Sequence, residues 1–386
     1  MSKKAPEVYK GFEQGPIRPP SEANSLLIRV SRNCPWNFCT FCPVYKGRKF
    51  SLRPKDHVIH DIDTVCKYVE MLKQRTDNKG RITQMVAQDV SNMVDPNEAD
   101  AFHAVLSWFA GGLESVFIQD ANSLIIKPAD LIEILIHLRK CFPWVKRITS
   151  YARSHSLARI SDENLASIKN AGLNRIHIGL ESGSDEVLKM VRKGSDKAMQ
   201  IKAGQKVKNA GMELSEYVMP GLGGQKLSDV HAIETADALN RINPDFIRLR
   251  TLAIPNRIPL YEDYQTGTFE KCTDLMMAKE IRLFIDKLEG ITSTIKSDHI
   301  LNLFQEIEGK FPQDKPSLLN ILDSFLDMEP EKQCIYQVGR RLGIFHRMED
   351  MNSPHRLKKA ENVCKENNIT PENVDKVVDE IMKRFI

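Results

Sequence analysis

Three cysteines stand close together in the sequence, Cys34, Cys39 and Cys42, in a C-x4-C-x2-C loop that follows an apolar segment. Thiolates at this density are typical of iron–sulfur sites, and most such clusters take four cysteine ligands. Because no fourth cysteine lies nearby in the sequence, one iron would be left for a ligand that is not protein. The spacing therefore predicts an iron–sulfur cluster with one open iron.

Zinc is the main alternative for these thiols. The second and third cysteines are followed by His57 and His60, which would complete a set of two cysteines and two histidines. The spacing between the histidines is one residue too short for a zinc finger, and this arrangement leaves Cys34 without a role. His57 and His60 also fall in a long amphipathic segment, where they could be surface residues. The cluster is the favoured prediction.

The composition is that of a large globular protein. The chain has 386 residues and a formal net charge of +4, from 55 basic and 51 acidic residues that are mixed along the sequence. No secretory signal is recognisable at the start, and no apolar run reaches the about 18 residues of a membrane span. These features predict a cytoplasmic protein without disulfides. The mild charge does not favour nucleic acid as a partner and does not exclude it.

Short β-rich segments alternate with helical patterns along the chain. The predicted strands are 26–31, 115–120, 147–152, 175–181, 214–219 and 246–252. The predicted helices are 55–74, 128–141, 162–171, 197–210 and 228–242. Six βα units imply a parallel sheet, either doubly wound or closed into a full or partial barrel. We predict an α/β protein with a partial (β/α)6 TIM-type barrel, in which ligands gather at the carboxyl ends of the strands.

Three further motifs lie directly after predicted strands. They are FIQDANS at 117–123, IHIGLESGSDEVLKMVRKG at 176–194 and YVMPGLGG at 217–224. With the cysteine loop, they resemble the motifs of radical S-adenosylmethionine enzymes, in the group whose core is shared by the elongator catalytic subunit, the methylthiotransferases and the oxygen-independent coproporphyrinogen oxidase. That family usually has C-x3-C-x2-C, and a loop absorbs one extra residue easily. The resemblance implies an N-terminal extension at 1–23, a core domain at 24–290 and a helical C-terminal region at 291–386.

The resemblance also implies roles for particular residues. The cofactors would be a 4Fe-4S cluster on the three cysteines and S-adenosylmethionine, with Phe41 as the aromatic residue before the third cysteine. Glu181 would meet S-adenosylmethionine, and Lys193, with Arg192 as the second choice, would bind its carboxylate. Gly221 would lie in the segment that packs on the adenine.

Four more residues are candidates with ordinary structural alternatives. Asp120 or Asn122 could accept hydrogen bonds from the ammonium group of S-adenosylmethionine, although this chain lacks the Gly-Gly-Glu stretch that the family commonly has there. Either residue could equally form an Asx turn. Arg153 and Arg248 could bind a cofactor or substrate carboxylate, or form structural ion pairs.

The implied activity is reductive cleavage of S-adenosylmethionine, followed by hydrogen abstraction from a substrate by the 5′-deoxyadenosyl radical. We expect a small molecule, a lipid or a tetrapyrrole as substrate and an electron donor such as flavodoxin or ferredoxin. A radical enzyme that modifies RNA is the alternative. A zinc-binding protein or iron–sulfur scaffold without enzymatic activity is the third possibility.

Residues after Gly290 carry weaker signals. Prolines separate several predicted helices there, and we expect this region to act as a lid or as a partner-docking layer. His299 is a possible substrate-side residue. The remaining cysteines are isolated in the sequence, so no second cluster is predicted: Cys66, Cys141, Cys272, Cys334 and Cys364.

Overall fold

The computed structural model describes residues 7–77 and 80–383. Its strands are β1 (Leu26–Arg29), β2 (Ser31–Arg32), β3 (Ser51–Leu52), β4 (Ser115–Gln119), β5 (Arg147–Ala152), β6 (Arg175–Glu181), β7 (Glu213–Val218), β8 (Phe246–Leu249), β9 (Thr294–Lys296) and β10 (Glu308–Lys310). Within the described residues, the main sheet has eight strands in the order β1-β4-β5-β6-β7-β8-β9-β10, and β2 pairs with β3. The β1–β4, β4–β5, β7–β8 and β8–β9 pairs are parallel, and β10 is antiparallel to β9.

Helices separate most of these strands. They are α1 (Lys55–Lys73), α2 (Gln84–Ser91), α3 (Ala99–Ala110), α4 (Pro128–Cys141), α5 (Ser154–Leu157), α6 (Asp162–Asn170), α7 (Asp185–Met190), α8 (Lys197–Asn209), α9 (Gly224–Ile242), α10 (Pro259–Gln265), α11 (Asp274–Lys287), α12 (Lys315–Leu326), α13 (Pro330–Arg341), α14 (Pro354–Glu366) and α15 (Val374–Met382). A central, mostly parallel sheet with helical crossovers is the predicted α/β class, and it is consistent with a partial TIM-type fold.

The predicted elements agree closely with the observed ones. The six predicted strands correspond to β1 and β4–β8, the strand at 147–152 matches β5, and the helix at 128–141 matches α4. Local chemistry defines the helix ends, as at α6, where the Ser161 hydroxyl accepts a hydrogen bond from the Asn164 N–H at 3.2 Å. Apolar periodicity and capping are local properties, and for this reason they are readable from sequence.

The chain forms two compact units. Of the described residues, 7–35, 47–77, 80–177 and 206–213 belong to the first unit, and 36–46, 178–205 and 214–383 to the second. In the first unit, β4 is buried along its whole length, and α1 packs against α3 and α4. Aromatic rings fill the space between helices: Trp108 meets Phe142 edge-on with ring centroids 5.1 Å apart, and Tyr68 meets Phe102 at 5.4 Å.

The C-terminal part of the second unit is mainly helical, as the sequence indicated. It also contributes β9 and β10, which extend the main sheet beyond β8. Each of these strands has three residues, too few for an alternating pattern to be recognised. A buried ion pair joins α13 to α11, with Arg341 Nη2 2.6 Å from Asp274 Oδ1, so this region is packed into its unit. Among the described residues, no helix has the length and apolar character needed to span a membrane.

Candidate active site

The cysteine loop is held by backbone hydrogen bonds and apolar packing. Its three cysteines are half-buried, and none of them is in a disulfide. In the second unit, Cys39 and Cys42 pack against an apolar cluster that includes the buried ring of Phe41. The Thr40 N–H donates to the Val191 carbonyl at 3.0 Å, and the Thr40 carbonyl accepts from the Leu260 N–H at 3.2 Å. The thiols of Cys39 and Cys42 are therefore carried by an ordered segment.

Glu181 and Lys193 form an ion pair in the same unit. Lys193 Nζ lies 3.1 Å from Glu181 Oε1, and each side chain is 13% exposed. The Lys193 ammonium is 5.7 Å from the centre of the Phe41 ring, so three predicted cofactor-binding residues lie together. Glu181 ends β6 with a φ of +65°. A non-glycine residue held there costs of order 1–3 kcal/mol, and such strain is concentrated at functional sites.

Two glycines of the second unit occupy positions where a side chain would be unfavourable. A Cβ at Gly179 would overlap Glu181 Oε1 and lie 3.1 Å from Lys193 Nζ, so a side chain here would displace the ion pair. Gly221 has a φ of +84°, which favours glycine, and its N–H donates to Glu280 Oε1 at 2.7 Å. This hydrogen bond fixes the backbone of the segment for which the family resemblance implies adenine packing.

Sequence analysis missed Glu216, which lies on β7. Its side chain is completely buried, and neither carboxyl oxygen hydrogen bonds to another described residue. Burial raises the pKa of Glu216 well above its usual value, while Lys193 lowers it and Glu181 raises it to smaller extents. Burial therefore favours the neutral form of Glu216, and its charge is coupled to those of Glu181 and Lys193. In the sequence, Glu216 is visible only as an acidic residue in the middle of a short strand.

The remaining predicted residues of the first unit follow β4 and β5. Asp120 is buried and forms an ion pair with Arg29, with Nη2 2.8 Å from Oδ2. Asn122 Nδ2 donates to Ser156 Oγ at 2.8 Å, and Asn122 Oδ1 accepts from the Arg153 backbone N–H at 3.0 Å. Asn122 thus joins the segments after β4 and β5, and the chain itself supplies partners for both acceptor side chains. Contacts of these residues with S-adenosylmethionine stay a prediction.

Arg248 and His299 lie in the second unit. Arg248 is buried and forms an ion pair with Asp298, which corresponds to the structural alternative raised from the sequence. Burial, together with the nearby charge of Arg250, lowers the pKa of His299 to about 4, so its imidazole is neutral near pH 7.

The two histidines of the alternative zinc set pack against a tyrosine ring. His57 and His60 lie on α1, where both rings meet Tyr9 edge-on with centroid distances of 5.4 and 4.6 Å. Packing on Tyr9 accounts for these histidines without a metal. The donor set of the loop, three half-buried thiols within nine residues, instead fits a cluster that takes thiolate ligands. The ammonium of Lys193 fits a ligand with a carboxylate.

Comparison with known proteins identifies the class. The sequence model of the Radical SAM superfamily matches residues 28–236, more than half of the chain. The protein therefore belongs to the radical SAM superfamily, as the motifs indicated. It is an enzyme whose cofactors are a 4Fe-4S cluster and S-adenosylmethionine.

Individual relatives are distant. The chain is 21% identical over 266 residues to the tRNA uridine(34) acetyltransferase of Methanocaldococcus jannaschii, which covers 66% of this chain and 47% of the relative. It is 25% identical over 111 residues to the protein of the same name from Methanocaldococcus infernus, covering 28% of this chain and 21% of the relative. The chain thus spans less than half the length of these curated relatives. Among solved structures it is similar to coproporphyrinogen III oxidase (HemN) from Escherichia coli, with a TM-score of 0.44 and 15% identity, covering 68% of this chain and 52% of that one.

Proposed function

We propose that Cys34, Cys39 and Cys42 ligate three irons of the 4Fe-4S cluster and that the second unit holds S-adenosylmethionine through the Glu181–Lys193 pair. The observation that carries this proposal is the contact of Lys193 with both Glu181 and Phe41, next to the segment that bears Cys39 and Cys42. When bound, these cofactors supply one electron and a 5′-deoxyadenosyl radical that removes a hydrogen atom from the substrate.

The chain's own residues position and shield that chemistry. Lys193 can bind the carboxylate of S-adenosylmethionine with a charge-assisted hydrogen bond, and Glu181 can accept from its hydroxyl or ammonium groups. The buried Phe41 ring and the apolar residues around it keep water from the loop. Burial of Glu216 favours its neutral form, which limits the negative charge that would repel the carboxylate.

We further propose RNA as the substrate class, in place of the small molecule, lipid or tetrapyrrole expected from the sequence. The curated relatives bear the name tRNA uridine(34) acetyltransferase. The cysteine loop also presents an aromatic pair, with the Phe38 side chain 63% exposed and its ring 5.1 Å from that of Trp36. Exposed aromatic rings stack on unpaired nucleobases. Flavodoxin or ferredoxin as electron donor and a cytoplasmic location remain parts of this proposal.

The test is production of 5′-deoxyadenosine by anaerobically reconstituted protein with a chemical reductant. The wild type should release it from S-adenosylmethionine, and the Cys39→Ala variant should not. Addition of unmodified tRNA should stimulate release, and the Phe38→Ala variant should lose this stimulation while keeping the basal rate. Release unaffected by tRNA would reject the RNA proposal and leave the cleavage proposal standing. Equal release by the Cys39→Ala variant would reject both.

A further inference from the structure

Metal-binding side chains meet on two neighbouring helices of the first unit. Asp63 lies on α1, and His137 and Cys141 lie four residues apart on α4. Asp63 Oδ1 is 2.7 Å from His137 Nε2, and Cys141 Sγ is 3.6 Å from the same nitrogen. The ligand atoms of these three side chains all lie within 4.8 Å of one another. One carboxylate, one imidazole and one thiol therefore converge.

Cys66 lies next to this group and offers a fourth donor. It follows Asp63 by three residues on α1, so both side chains share one helix face. Its Sγ donates to the Cys141 carbonyl oxygen at 3.9 Å, so its thiol lies beside that of Cys141. These two cysteines are 75 residues apart in the sequence and looked isolated there, but tertiary packing brings them together.

The two helices are held in a defined register. Near the start of both helices, Lys55 Nζ lies 2.6 Å from Glu133 Oε2. The two helices pack against each other, and Val65 on α1 and Leu138 on α4 are almost completely buried. The four donors thus stand on packed helices, and a metal would bind them without ordering a loop.

The donor types and distances select zinc. Zinc takes sulfur, nitrogen and carboxylate oxygen in tetrahedral sites, with Zn–S of about 2.3 Å and Zn–N of about 2.0–2.1 Å. A tetrahedron with these bonds separates sulfur from nitrogen by about 3.55 Å, and the Cys141–His137 distance is 3.6 Å. The Asp63–His137 contact is shorter than a tetrahedral edge, but the Asp63 side chain is 55% exposed and can move outward.

We propose that this set of side chains is a structural zinc site that ties α1 to α4: Asp63, Cys66, His137 and Cys141. It is closed by four protein ligands, which distinguishes it from a catalytic zinc site with an open position. The site is separate from the cysteine loop in its ligands, so it goes beyond the proposed function and does not depend on it.

Metal analysis tests the proposal. Anaerobically reconstituted protein is mixed with an equivalent of zinc and desalted, and zinc and iron are then measured. The wild type should keep about one zinc per chain beside its iron. His137→Ala and Cys141→Ser should lose the zinc and keep the iron, whereas Cys272→Ser, which removes a buried thiol of the second unit, should keep both. A variant with Cys34, Cys39 and Cys42 all changed to Ala should lose the iron and keep the zinc.

Thermal unfolding provides a second measurement. Zinc that binds only the folded state should raise the unfolding midpoint of the wild type and leave that of His137→Ala unchanged. Absence of retained zinc in the wild type would overturn the proposal. So would zinc that disappears with the loop cysteines and persists in His137→Ala, or a thiol count that reveals a Cys66–Cys141 disulfide in the freshly purified protein.

Discussion

Replacement of Lys193 by Ala should weaken S-adenosylmethionine binding while the iron content stays near that of the wild type. Lys193 Nζ contacts Glu181 Oε1 at 3.1 Å and lies near the Phe41 ring. Lys193 is not one of the proposed ligands of the cluster, so its loss should not release iron. The substitution removes the cation offered to the cofactor carboxylate. It also leaves Glu181, which is 13% exposed, without its ion-pair partner.

The magnitude follows from the kind of contact. A hydrogen bond to a charged group contributes about 1.5–3 kcal/mol when it is shielded from water. The loss of one such bond to the cofactor carboxylate corresponds to a dissociation constant weaker by about 10- to 150-fold. Lys193→Arg keeps the charge and should recover part of the affinity, because the guanidinium can also bind a carboxylate.

The assay is equilibrium binding of S-adenosylmethionine to the reconstituted protein under anaerobic conditions, with iron measured on the same samples. Lys197→Ala is the matched control, since Lys197 is 15% exposed and its Nζ lies 2.6 Å from Glu234 Oε2 on α9. This variant should bind the cofactor as the wild type does. The reasoning is refuted if Lys193→Ala binds with wild-type affinity, or if it loses iron in proportion to binding.

Three further predictions concern the loop, its support and pH. The reconstituted wild type should hold about four irons per chain. Cys42→Ala should lower the iron content sharply, whereas the control Cys364→Ser should not. Equal iron in both variants would contradict Cys42 as a cluster ligand. Gly194→Ala should reduce iron retention and the unfolding midpoint more than Gly267→Ala does. Both positions have φ above +70°, but only at Gly194 would the new Cβ overlap a side chain, the Trp36 ring. Equal effects of the two substitutions would show that Trp36 does not support the loop. The pKa of His299 is about 4 in the folded protein, below its value in the unfolded chain, so the unfolded chain binds a proton more readily. The free energy of unfolding should therefore fall by up to about 3 kcal/mol as the pH drops from about 6.5 to 4. Denaturant titrations should show a flatter pH profile for His299→Asn, and identical profiles would speak against this linkage.

Much of the architecture was readable from the sequence because it depends on local spacing. Apolar periodicity located five of the helices, α1, α4, α6, α8 and α9, and short β-rich segments located β1 and β4–β8. The three cysteines predicted an iron–sulfur cluster because all of them lie within nine residues of one loop. Glu181 and Lys193 are twelve residues apart, on either side of a short helix, so a motif could predict that they meet.

Other features became visible only when distant segments packed together. Glu216 is an ordinary acidic residue in the sequence, and its burial depends on the elements around β7. Cys66 and Cys141 meet because α1 and α4 lie side by side, and Arg248 finds Asp298 50 residues later. No local pattern encodes such contacts, since the free energy that brings them together comes from burying apolar faces elsewhere on the same elements. The sequence by itself therefore determined the cofactor chemistry and the order of the elements. Tertiary packing sets which charges are compensated, which acidic side chain is buried and which isolated thiols become neighbours.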